Sequence, residues 1–195
     1  MPDFHFGLGI DKNLHISDSL SDARDPSPLV RLPKLGERYG AQGKLLGKAE
    51  FRLSETRAGR LFRSGDGSVS AAEYDRQAAQ LSLAPELLRQ TYGKIGAVTV
   101  CAELPGSFTA FAALLHAYNG DIRVIAAVPI GGEAPEGADD FVEVSDENRA
   151  RMAREVKSSD GIGVGPSSGA ALFAAVKIVR DKKMKDKNVI AVLTD

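Results

Sequence analysis

The sequence predicts an α/β fold: an open, mostly parallel sheet with helices on both faces. Two observations carry this. From residue 97 onward, short apolar runs alternate with helical patterns, and turn residues separate them. The chain has 195 residues, 43% hydrophobic and 26% charged, which suffices for one sizeable core. No internal repeat or low-complexity tract points to another architecture.

Residues 1–28 show no sustained period and end in Asp25-Pro26-Ser27-Pro28, whose prolines favour extended backbone, so this stretch is expected to be an arm. Residues 29–195 are expected to form a single domain, with a reduced N-terminal part over 29–95 and the main sheet over 96–195. Residues 29–32 are a short apolar segment. A helical turn is expected over 34–39, stopping near Gly40, and a strand over 44–51. The region 52–63 is basic and irregular, 64–68 is a turn, and 71–80 has a helical pattern. Ala84-Pro85 opens a short helix, because proline suits a first helical turn. Strands are then expected over 97–102, 122–128, 141–144 and 189–193. Helices are expected over 106–118, from the Ser145 cap with its acids Asp146 and Glu147 to about Lys157, and over 167–181.

Composition narrows the function classes. Twenty-five Lys plus Arg balance twenty-six Asp plus Glu, so no overall basic field speaks for nucleic acid or an anionic membrane as partner. One cysteine, Cys101, excludes an internal disulfide framework and a thiolate metal cluster. His5, His15 and His116 lack helical ligand spacing, so no metal site is expected. No stretch approaches eighteen apolar residues and the N-terminus lacks a leader-like apolar core, so the expectation is a soluble cytoplasmic protein.

The most informative stretch is GIGVGPSSGAA over 161–171, where glycines lead into a helix that begins with Ser167 and Ser168. Such a junction presents backbone N–H groups, hydroxyls and the positive end of a helix dipole, which suits a phosphate or a heteroaromatic nitrogen. Simple helix capping explains it equally well.

Residues 160–175, with VEVSDE over 142–147 upstream and NVIAVLTD over 188–195 downstream, resemble the cysteine synthase family of fold type II pyridoxal-phosphate enzymes. PLVRLPKLG over 28–36 is similar to that family's opening segment, and 45–51 to the strand before its catalytic lysine. The resemblance implies a cofactor, pyridoxal phosphate, held between two subdomains, and β-replacement or β-elimination on amino acids such as activated serine. It also implies a dimer, either a homodimer or a heteromer with an intact relative.

Carried over residue by residue, the resemblance identifies a shortened and degenerate member. The position of the Schiff-base lysine falls on Ala58 in an ungapped alignment after Phe51, or on Ser70 if Gly67-Ser68-Val69 is matched instead. Neither side chain has an amine. Lys44, Lys48 and Lys94 are the nearest substitutes. In the phosphate loop, Glu103-Leu104-Pro105-Gly106-Ser107, only Gly106 and the Ser107 hydroxyl match the family's glycine-rich run. Glu103 would repel a phosphate, and Pro105 removes an N–H donor. No Asn occurs between Arg52 and Glu103 to serve the substrate loop, and the intervening segment is too short for the family's smaller mobile subdomain. Ser167, with Ser168 and Gly169 beside it, matches the serine that bonds the cofactor's pyridine nitrogen. The chain given ends where relatives continue, so either it is a fragment or the fold is trimmed at its end as well.

The expected site residues are therefore Gly106, Ser107, Ser167, Ser168 and Gly169 for cofactor contact, with no catalytic residue. Three functional readings follow: a binding or regulatory partner without its own β-replacement chemistry, an active enzyme with a non-standard lysine, or a binder of a small anion or metabolite at the 165–169 turn. Other features are expected to be bland. Cys101 reads as a small buried hydrophobe and His116 as an edge residue. The 64–73 segment has part of the spacing of a calcium loop, but Phe62 stands at its first ligand position.

Overall fold

Seven strands form one sheet in the spatial order β1-β2-β3-β7-β4-β5-β6, in a computed structural model that describes residues 16–21, 23, 27–50, 83–102 and 105–195. The strands are β1 Ile16–Ser17, β2 Leu29–Arg31, β3 Lys44–Ala49, β4 Ile95–Cys101, β5 Arg123–Pro129, β6 Asp140–Val144 and β7 Asn188–Leu193. Helices are α1 Pro33–Arg38, α2 Ala84–Gln90, α3 Pro105–Tyr118, α4 Asp146–Asp160 and α5 Pro166–Ile178. Every pairing is parallel except β2 with β3, so the sheet is mostly parallel, as the alternating elements predict.

Side chains alternate across the strands and so divide the core in two. On one face Leu45, Ala97, Val189, Ala191 and Leu193 pack with residues of α1, α4 and α5. On the other, Leu46, Val98, Ile190 and Val192 pack with residues of α2 and α3. Central strands buried on both faces must be apolar at nearly every position, which is why β7 reads as the uninterrupted run VIAVL. Gly169 sets how closely α5 approaches α4: a Cβ there would overlap the Arg149 carbonyl oxygen.

The helix starts follow local chemistry. Ser145 caps α4 by accepting from the Asn148 amide at 3.3 Å, and Asp146 and Glu147 occupy its first turn. By contrast, α1 and α5 begin with a proline and have no capping side chain of their own. Both borrow a distant carboxylate. Asp160 at the end of α4 accepts from the Lys34 and Leu35 amides of α1, at 3.1 and 3.0 Å. Asp195 does the same for α5. The described part of the arm adds Ile16–Ser17 as an edge strand beside Leu29 and Val30.

Candidate functional site

Because β3, β7, β4, β5 and β6 run in one direction, their carboxyl ends share one edge of the sheet, where open α/β folds place their ligands. The head of α5 lies at this edge, beside the end of β7. Here Asp195 is clasped: its Oδ2 accepts from the Ser167 amide at 3.0 Å, and its Oδ1 from the Ser168 amide at 2.8 Å and the Ser168 hydroxyl at 2.5 Å. The Gly165 amide donates to the Asp195 carbonyl at 3.0 Å, and the Thr194 amide donates to the Ser168 hydroxyl oxygen at 2.9 Å. A side chain at Gly165 would collide with the Asp195 carboxylate, so glycine is required there by close approach. Partial burial pushes the Asp195 carboxyl pKa up, but hydrogen bonds from Ser168 and Ser167 pull it further down, so it lies below the usual aspartate value.

Thus Ser167, Ser168 and Gly169 are brought together at one helix head, and Ser168 is fully buried. Gly106 and Ser107 fall in the first turn of α3, which follows the end of β4. Ala58, Ser70 and the 64–73 segment lie outside the described residues, as does Glu103. Among the described residues no cluster of His, Cys, Asp or Glu could hold a metal ion, and no helix is long and apolar enough to cross a membrane.

Two further contacts lie at opposite edges of the sheet, one at this edge and one at the amino edge. Cys101, half-buried at the end of β4, accepts a hydrogen bond from the Arg149 guanidinium of α4 at 3.3 Å. His116 reaches Asp139 at 2.8 Å and ties α3 to the approach of β6.

The nearest lysine to the carboxyl ends, among the described residues, is Lys48. Its ammonium is fully buried between β3 and α2. It donates to the Ser27 carbonyl, to Glu86 Oε1 at 2.5 Å and to Gln90 Oε1 at 3.1 Å. Gln90 in turn donates to the Ser27 carbonyl at 3.2 Å. Lys44 and Lys94, by contrast, sit at the opposite edge, at the first position of β3 and just before β4.

Sequence reasoning missed the role of Asp195 and the burial of Lys48. A signal existed for each. An α5 without its own cap needs a carboxylate from elsewhere, and Asp195 lies two residues beyond the central strand. Glu86 and Gln90 are four apart on a helix that is otherwise apolar on its inner face, which marks a buried polar partner.

Pyridoxal phosphate would need amide donors for its phosphate and an amine for covalent attachment. The resemblance gives the phosphate to 103–107 and the pyridine nitrogen to the α5 head, where the Ser167 and Ser168 amides already donate to the Asp195 carboxylate. The Lys48 amine is held by a buried carboxylate. Among the described residues around β3, the Lys48 amine is thus engaged by Glu86 and does not fit covalent attachment of the cofactor.

Residues 133–195 match the family described as pyridoxal-phosphate dependent enzyme. A cysteine synthase from Buchnera aphidicola is 44% identical over 55 residues, which is 28% of this chain and 18% of that protein. A probable cysteine synthase from Bacillus subtilis is 26% identical over 189 residues, covering 80% of this chain and 60% of its own length. The solved cystathionine beta-synthase from Bacillus anthracis superposes with a TM-score of 0.54 at 28% identity, over 62% of this chain and 43% of that one. The chain thus spans no more than 60% of the length of these relatives. The chain is thus similar over residues 133–195 to pyridoxal-phosphate dependent enzymes, and in sequence and fold to cysteine synthases and a cystathionine beta-synthase.

Proposed function

We propose that this chain is a cysteine-synthase-like protein without independent β-replacement catalysis, and that it acts as a binding or regulatory partner of an intact family member. The observation that supports this best is Lys48. No lysine occurs between residues 51 and 82, where the family resemblance puts the catalytic one, and the nearest described amine is buried in contact with Glu86. An ammonium held in this way is not a nucleophile. The Asp195 carboxylate at the α5 head adds a second argument, because it accepts from the Ser167 and Ser168 amides and the Ser168 hydroxyl beside the position that the resemblance gives to the cofactor. Any remaining cofactor contact falls on Gly106 and Ser107.

The partner claim has its own test. Purified chain is run on gel filtration alone and with an intact cysteine synthase, and turnover of an activated serine is measured in each fraction. The expected result is no turnover by the chain alone, co-elution with the relative, and altered turnover of that relative. A lone monomer that neither co-elutes nor alters turnover overturns the partnership.

One observation favours a second reading. The similar proteins bear the names of enzymes, cysteine synthase and an O-acetylserine dependent cystathionine beta-synthase. An active enzyme would have to draw its amine from Lys48 by breaking the Glu86 contact, from Lys44, or from a partner chain.

A further inference from the structure

The amino edge of the sheet, opposite the candidate site, holds a cavity of about 350 Å³. That volume falls at the small end of ligand pockets. Arg31, Lys44, Thr91, Tyr92, Lys94 and Asn188 line it, and no acidic residue is among its described lining residues.

Strand register explains why the cations converge. Asn188 opens β7 at the centre of the sheet, and Lys44 of β3 is its direct partner on one side. On the other side its partner is Ile95 of β4, the residue after Lys94. Adjacent strands are roughly 4.8 Å apart, so the two lysines flank one residue from neighbouring strands. Asn188 donates to the Lys94 carbonyl at 2.6 Å, which fixes that turn against β7. Arg31 enters from β2, opposite Leu46, two residues along from Lys44 and on the same face.

The charges do not cancel. Arg31 pairs with Asp18 at 2.9 Å, but among the described residues neither Lys44 nor Lys94 makes an ion pair. Lys182, Lys183, Lys185 and Lys187 add a basic turn just before β7 on the same edge, in a chain whose net charge is only −1. Like charges gathered at a concave surface raise the local potential and attract anions. At the rim, Tyr92 is 73% exposed with a left-handed φ of 52°, a conformation uncommon for a residue with a side chain.

We propose that this cavity binds a small multivalent anion, a phosphorylated or polycarboxylate metabolite, through Lys44 and Lys94 with Arg31 behind them. The site is separate from the α5 head and does not depend on any cofactor chemistry there.

The test is thermal unfolding of the full chain in rising concentrations of inorganic phosphate or of citrate, with ionic strength held constant by sodium chloride. A ligand that binds only the folded state raises the Tm with concentration. The expected result is such a rise, with the stronger of the two probes identifying the phosphoryl or the carboxylate source. Lys44→Ala and Lys94→Ala should each weaken the apparent affinity about ten-fold, the usual weight of one charged hydrogen bond, while leaving the anion-free Tm unchanged because both side chains are exposed. A Lys182→Ala/Lys183→Ala variant removes two charges nearby, more than either single replacement, and should keep the response. No shift beyond sodium chloride, or an equal loss in the Lys182/Lys183 variant, overturns the proposal.

Discussion

Lys48→Met lowers the stability of the chain by about 3–5 kcal/mol, the usual consequence of removing one member of a buried ion pair. The substitution leaves the Glu86 carboxylate, 4% exposed, without the ammonium that holds it at 2.5 Å. It also takes a donor from Gln90 Oε1 and from the Ser27 carbonyl, both buried. In a domain of this size that corresponds to a fall in Tm of roughly 10 °C. The double variant Lys48→Met/Glu86→Leu removes both charges, and should recover most of the loss because a buried pair replaced by apolar groups is often near neutral. Urea unfolding of the two variants checks this. Equal stability of Lys48→Met and the parent chain would mean that the amine is not engaged as described, and would reopen the enzyme reading.

Asp195→Ala is expected to destabilise by about 1 kcal/mol, the ordinary value of a helix cap. The carboxylate is exposed, so solvent screening keeps the effect at that level despite its several hydrogen bonds. Its effect depends on pH in a defined direction. The Ser168 and Ser167 donors, outweighing partial burial, hold the folded-state pKa below the unfolded value of about 3.9. The stabilisation is therefore fully present above that unfolded value and is lost as pH falls through the folded one. Urea midpoints of parent and Asp195→Ala should differ at neutral pH and converge in strong acid. A constant difference across that range would contradict the assignment.

Much of the fold is legible because central parallel strands must be apolar on both faces, so β4, β5 and β7 stand out as runs in the sequence. The start of α4 is equally plain, since Ser145 and the two acids act locally. The α5 start falls at Pro166, one residue before the expected Ser167, because proline fits a first turn. What was not legible is non-local. The pairing of Ile16–Ser17 with β2 leaves no period in two residues. Lys48 is a charge in an apolar strand, and Glu86 and Gln90, 38 and 42 residues away, together with the Ser27 carbonyl make its burial tolerable. The serine and glycine cluster was visible as a helix head that could receive an anion. That the chain supplies this anion itself required the end of β7 to be placed beside that head.

The most direct measurement of the central claim is covalent capture of the cofactor. The purified chain is incubated with pyridoxal phosphate, its visible spectrum is recorded, and borohydride is added before peptide mass analysis. The expected result is no visible band of a lysine-bound cofactor and no specifically labelled lysine, Lys48 included. Stoichiometric labelling of a single lysine, abolished by replacing that residue, would contradict it and identify the amine of an active enzyme.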